Sequence, residues 1–313
     1  MTEGLSVEIW SQIFFEACVD GGCTACALSE VSRYFRDAVL SVQLDNVVLI
    51  GQSRMIHFAA LLRKREGNPC HRCVRHLFLS NSGQPSKTPY VDKDAYATAT
   101  GYVLSMVSPN LVTLTSTLPL GKVGKDNILH FPFPKLRELT VHCPIIDTPP
   151  DRKEGPKPSL PSLRYLHILS TGGNSYIYTQ HAPVLTHLRL STLASVSLQL
   201  YEAISFAVRP GKQNTDGASS KSLLPPSPFK LSPTVTKILV HFSPSRLAFR
   251  NGSFLINGDP MNNALQELDG GEKLVFLDSG RGMTSSDFLA QGTERKDWEE
   301  RMVGKLGCWA EPP

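Results

Sequence analysis

Metal-ligating and nucleophilic side chains gather at three places in this sequence. Cys23-Thr-Ala-Cys26 and Cys70-His-Arg-Cys73 each have the two-residue gap that lets both thiolates reach one ion. Together they would supply the four sulfurs of a tetrahedral zinc site. However, 43 residues lie between the pairs, far more than zinc-ribbon spacing. Strand alternation after Cys70 also sends Cys73 and Val74 to opposite faces. Neither pair follows a strand and opens the helix of a βαβ unit, as a thioredoxin-like redox pair would. The four thiols therefore read as packing groups, with no metal and no cofactor.

The third place is Val275-Phe-Leu277-Asp278-Ser279-Gly280, an aliphatic run entering Asp-Ser-Gly. Acid proteases present a catalytic carboxylate on such a turn, but their chemistry needs two carboxylates sharing one proton. The chain has no second Asp-Thr/Ser-Gly, so Asp278 reads as the acidic turn at a strand end. Dinucleotide, phosphate-loop, nucleophile-elbow and zinc-protease signatures are all missing. The nine histidines are scattered along the chain. The expectation is a protein that is not an enzyme.

The elements that would position these groups are α and β in alternation. At the N-terminal end, Ser6 is an N-cap candidate and Glu8 sits in the first turn. Ile9, Ile13 and Phe14 follow at helical spacing, with Trp10 and Ala17 widening the stripe. Asp20-Gly21-Gly22 stops this helix. A second helix is expected from about Thr24 to about Leu40, with Leu28, Val31 and Phe35 at i, i+3 and i+7. Two helices so short and so apolar cannot bury their faces on each other alone. Residues 1–45 thus read as a partner-binding module, with Phe35 and Val39 turned inward.

Beyond them one phrase recurs, apolar-x-x-apolar-x-apolar. It begins at Leu44, Val74, Leu111 (where Ser116 takes the last apolar place), Leu136, Leu163, Leu185 and Val235, at intervals of 30, 37, 25, 27, 22 and 50 residues. Each copy is the strand of a leucine-rich-type repeat, and helical or Pro-rich stretches such as 55–62 and 95–106 lie between copies. Strand, crossover and parallel strand is the economical way to chain such units, with right-handed crossovers. The apolar fourth and sixth positions share one face and stack into a continuous core. His76, Arg137, Arg164 and His187 are then expected in an outward row that binds a target. The repeats are irregular, and the asparagine that closes the turn in regular copies is missing throughout. Residues 46–313 are expected to form this domain, with a mobile Pro/Ser/Gly-rich loop at about 210–233. A strand is expected over 273–277 and a helix over 294–305. Trp298 and Trp309 are expected to cap the open end of the stack.

Composition narrows the class. The 313 residues are 41% hydrophobic and 19% charged, which suits a folded core. The net charge of +4 is too small and too dispersed for a nucleic-acid surface, and Arg63-Lys64-Arg65 reads as the wet end of a helix. No run of 18 apolar residues predicts a membrane span, and the start carries no basic, apolar leader. Seven cysteines, an odd number, fit free thiols in a reducing compartment, so the expected location is cytoplasmic and/or nuclear.

The segment Leu5 to Phe35 resembles the F-box. That motif opens with Leu-Pro-x-Glu-Ile/Leu and ends with Leu-x-x-Val-Ser/Cys-Lys/Arg-x-Trp/Phe. Glu8-Ile9, Ile13, Leu28, Val31-Ser32-Arg33 and Phe35 match it in order and spacing, with Ser6 in place of the usual proline. An F-box followed by degenerate leucine-rich units and a Trp-containing tail is similar to the large class of fungal F-box proteins. The resemblance implies a bridge between a Skp-type adaptor of a cullin–RING ubiquitin ligase and a protein target. It implies adaptor contacts at Leu5, Ile9, Ile13, Leu28, Val31 and Ser32. The alternative is a stand-alone repeat scaffold whose N-terminal helices merely close its end.

Overall fold

The computed structural model describes residues 5–65, 74–81, 93–118, 128–142, 159–169, 177–193, 198–209, 231–242, 249–250, 253–254, 260–277 and 293–310. The expected loop at 210–233 (apart from its last three residues), the pair Cys70/Cys73 and Asp278 lie outside these. The architecture is mixed α/β. Among the described residues it has an eight-stranded, all-parallel sheet and nine α-helices.

Each of the seven apolar phrases forms a strand. They are β1 (Asn46–Ile50), β2 (His76–Ser80), β3 (Thr113–Ser116), β4 (Glu138–His142), β5 (Tyr165–Leu169), β6 (His187–Leu193) and β7 (Lys237–Phe242). After a two-stranded antiparallel pair, β8 (Phe249–Arg250) and β9 (Ser253–Phe254), the sheet closes with β10 (Leu274–Leu277), giving the order β1-β2-β3-β4-β5-β6-β7-β10. The phrase sets the register. Val47, Leu77, Leu114, Leu139, Leu166, Leu188, Ile238 and Leu274 pair in succession across the sheet, and all are buried. A slip of one residue in any strand would turn its apolar set to the opposite face.

The helices cover that apolar face. α4 (Gln52–Lys64) buries Met55, Phe58, Ala59 and Leu62, at i, i+3, i+4 and i+7. α5 (Lys93–Val107) buries Tyr96, Ala99, Val103, Leu104 and Val107 on the same period. α6 (Ile177–Gln180), α7 (Leu198–Val208) and α8 (Pro260–Gln266) continue the layer. Arg63 and Lys64 end α4 in its last turn, and the Arg63 guanidinium lies 4.5 Å from the centre of the Tyr102 ring. No helix among the described residues is long and apolar enough to cross a membrane.

A backbone device replaces the missing asparagine. The carbonyl at the second position of each of the first six phrases accepts two N–H groups from the next repeat. Asp45 O takes Arg75 N and His76 N, Arg75 O takes Val112 N and Thr113 N, and Val112 O takes Arg137 N and Glu138 N. Arg137 O, Arg164 O and Thr186 O continue the staircase, at N···O distances of 2.8–3.1 Å. Because a main-chain carbonyl performs the task, side-chain identity at this position is free, and the repeats can be irregular in sequence without leaving buried donors unpaired.

The N-terminal module consists of α1 (Val7–Ala17), α2 (Cys23–Val31) and α3 (Arg33–Val39). The single helix expected from Thr24 to Leu40 is broken at Ser32, whose backbone is extended at φ −161°, ψ 165°. The Ser32 hydroxyl accepts from Phe35 N at 3.1 Å and caps α3, so helical spacing on both sides had disguised a boundary. Asp20 caps α2: its carboxylate accepts from Thr24 N at 3.0 Å and from Thr24 Oγ1 at 2.7 Å.

The turn between α1 and α2 also fastens the module to the sheet. Gly21 has φ +78°, and a Cβ there would stand 2.3 Å from Val48 Cγ2 of β1. Asn46 Nδ2 donates to Cys18 O at 3.1 Å across the same seam. Arg75 bridges Asp45, with Nη2 to Oδ2 at 3.0 Å, and its guanidinium lies 4.7 Å from the centre of the Phe15 ring. Gly21→Ala should therefore lower the denaturant midpoint by an amount equivalent to about 1–3 kcal/mol. Gly271→Ala is the control, since φ there is +53° but nothing lies within 4 Å of the added methyl. A Gly21 loss no larger than the Gly271 loss would mean that the contact with β1 does not matter.

Candidate functional site

The N-terminal module has two apolar sides but only one is filled. The inner side packs Phe14, Cys18, Ala25, Ala38, Val39 and Val42, with Trp10 and Phe35 partly buried against them. The ring centres of Trp10, Phe14 and Phe35 lie 4.9–5.4 Å apart in tilted and edge-on contacts. Ser11 Oγ donates to Ala38 O at 2.9 Å and Tyr34 OH to Leu5 O at 2.6 Å, which lock α1 onto α3.

The outer side is open. Leu5, just before α1, and Ile9 and Ile13 on it recur every four residues and are 41%, 44% and 43% exposed, while Val31 at the end of α2 is 64% exposed. Leu28 is half-buried, and Ser32, already engaged as a helix cap, is exposed. Phe15, Tyr34 and Leu40 add exposed apolar area to the module. Single exposed leucines need no explanation, but a row at constant helical spacing opposite a filled core does. Cys23 and Cys26 of α2 are free and exposed. No cluster of three or more metal-ligating side chains occurs among the described residues.

The second candidate surface is the face of the sheet turned away from the helical layer. His76 and His187 lie on it, in β2 and β6, four strands apart or about 19 Å. Arg137 and Arg164 do not share their row. They occupy the carbonyl-staircase position just before β4 and β5 and are exposed. The expected single row is thus two separate sets, because the histidines stand at the third position of their phrases and the arginines at the second.

More consequential is what covers this face. The last helix, α9 (Thr293–Met302), and the turn Gly307–Trp309 lie across it. Trp298 and Trp309 do not cap an end of the stack as expected. Trp298 meets Phe78 of β2 at 6.0 Å, and Trp309 meets Tyr165 and His187 of β5 and β6 at 5.3 and 6.2 Å. Glu138 of β4 is the anchor. Its Oε2 accepts from Arg301 Nε and Nη2 at 2.9 and 2.7 Å, and its Oε1 from Trp309 Nε1 at 3.0 Å. Sequence reasoning missed Glu138. The available signal was its position, an acid in the third place of a phrase, pointing away from the apolar core.

Burial tunes the titratable groups here. His167 is fully buried, with Nε2 2.8 Å from Ser191 Oγ, and its pKa is driven well below the usual imidazole value. His76, 2.9 Å from Thr113 Oγ1, is lowered to about 4, mainly by burial. Burial also lowers His142, His187 and His241. For each, the unfolded chain takes up a proton near 6.5 while the folded protein resists. Their stabilisation is complete above about pH 6.5 and is lost as pH falls through each lowered pKa, which for His76 is about 4. Glu294 and Asp297, raised by burial, act in the opposite sense. The five histidines outnumber them, so the urea midpoint should fall between pH 7 and pH 5. A His76→Asn variant should show a shallower fall; an unchanged midpoint would contradict this assignment. Comparison with known proteins adds no relative: no protein-family model and no curated protein sequence matches this chain.

Proposed function

We propose that this chain is a substrate-recognition subunit of a Skp/cullin/F-box-type ubiquitin ligase. In this reading α1–α3 form an F-box that docks on a Skp-type adaptor and through it on a cullin. The parallel sheet and its helices form an irregular leucine-rich-repeat-like solenoid that holds a protein target. The chain performs no chemistry itself. It raises the effective concentration of a target lysine near a charged ubiquitin carrier.

The observation that carries the reading is the open row Leu5, Ile9, Ile13 and Val31 on a module whose other side is complete. Each such side chain, fully buried on a partner, would contribute about 1.5–3 kcal/mol of gross transfer free energy. Three or four of them suffice for a specific interface once entropy costs are subtracted. Leu28 and Ser32 border this row.

Replacing Ile9 and Val31 by Asp places two charges in the proposed interface and leaves the packed core alone. Adaptor co-purification should drop by about 100-fold or more, with the thermal midpoint unchanged within about 2 °C. Undiminished capture by the folded double variant would favour a stand-alone scaffold instead.

A further inference from the structure

The two faces of the sheet differ in kind. The helix-covered face is almost wholly Leu, Ile and Val from β1 to β10, with Ser116 the buried exception in β3, as a permanent core requires. The opposite face carries Thr113, Glu138, Tyr165, His167, His187 and Arg189 in its middle strands. Side chains of this kind are costly to bury and are suited to recognising polar partners.

The segment over this face seats Cys308 and Trp309 against Leu239, Val275 and Leu277, but its helix is less completely buried. Of the ten residues of α9, only Glu294 and Trp298 are buried. Both arrive badly matched, because Glu294 Oε1 and Trp298 Nε1 are buried with no hydrogen-bond partner among the described residues. They line a cavity of about 10 Å³, the space of a single water, beside Thr113, Thr115 and Glu138. The polar contacts concentrate on Glu138, which takes the Arg301 guanidinium and the Trp309 indole together. Tyr165 widens that site, with the Arg301 guanidinium 5.6 Å from its ring centre and Trp309 edge-on to it.

We propose that this face is a receptor for a peptide segment presenting an arginine and a neighbouring aromatic side chain, and that residues 293–310 occupy it as an internal stand-in. The partner is a protein chain whose guanidinium forms the paired hydrogen bonds to Glu138 Oε2 and whose ring lies on Tyr165. The tail must lift for it to enter. The inference is independent of the adaptor reading, since none of its residues belongs to α1–α3 and its assays contain no adaptor.

The test uses the full-length chain carrying Arg301→Ala and Trp309→Ala, with a fluorescent peptide of residues 293–310 added in trans. The peptide should bind this variant at least about tenfold more tightly than it binds the unaltered protein, whose own tail competes. Adding Glu138→Gln should weaken that binding by about tenfold or more, the loss of a charge-assisted pair. A folded tail variant that ignores the peptide, or one whose affinity for it is unchanged by Glu138→Gln, overturns the proposal. Should the variant fail to fold, hydrogen exchange on the unaltered chain decides. The Trp298 amide should exchange at least about tenfold faster than the β4 amides through local opening, whereas equal protection would mean a permanently closed tail.

Discussion

Glu138→Ala should be the most damaging single substitution on the sheet, lowering stability by about 3–5 kcal/mol. The carboxylate is almost fully enclosed, and its removal strands two donors at once. Arg301 would keep its charge in a largely buried position without a counter-ion, and Trp309 would keep an indole N–H with no acceptor. Glu138→Gln separates the charge from the geometry: the amide oxygen can still accept from Trp309 while the ion pair is lost, so the cost should be intermediate. Urea titration followed by tryptophan fluorescence reads both variants. A Glu138→Ala loss below about 1 kcal/mol would show that the tail is held elsewhere.

Phe14→Ala should unfold the N-terminal module while sparing the sheet. Phe14 is 3% exposed and touches both Trp10 and Phe35. Truncating such a ring typically costs about 3–5 kcal/mol. The buried set of this module is Phe14, Cys18, three small or medium residues on α2 and α3, and Val42, too few to absorb a void of that size. A separate low-urea transition should appear in far-UV circular dichroism, with the sheet melting near its original midpoint. Ile9→Ala on the same helix should cost no more than about 0.5 kcal/mol, since that side chain is open. Equal losses at positions 9 and 14 would contradict the two-sided description of α1.

The sheet was legible in the sequence because a single physical demand, an apolar face broken only at Ser116, repeats at fixed positions in the phrases. Leu77, Leu139 and Leu166 announce their neighbours without any knowledge of the crossovers. β10 carried a weaker signal, since Gly271 stands where its phrase would begin with an apolar residue. The break at Ser32 was hidden because Leu28, Val31 and Phe35 keep helical spacing across two helices; only the capping chemistry of serine marks it. Trp298 and Trp309 were recognisable as covers, but which surface they cover depends on Glu138, more than 150 residues away in sequence. Local periodicity carries no information about such a pairing. The open row on α1 was readable only because its spacing is offset from that of Trp10 and Phe14, so that two stripes share one helix.

The central claim is that the module of α1–α3 is half of an interface. Its most direct measurement is a calorimetric titration of the purified full-length chain with a purified Skp-type adaptor. Saturable one-to-one binding at micromolar affinity or tighter, with a negative heat-capacity change from apolar burial, is the predicted result. Absence of binding by a chain whose module is folded would contradict it.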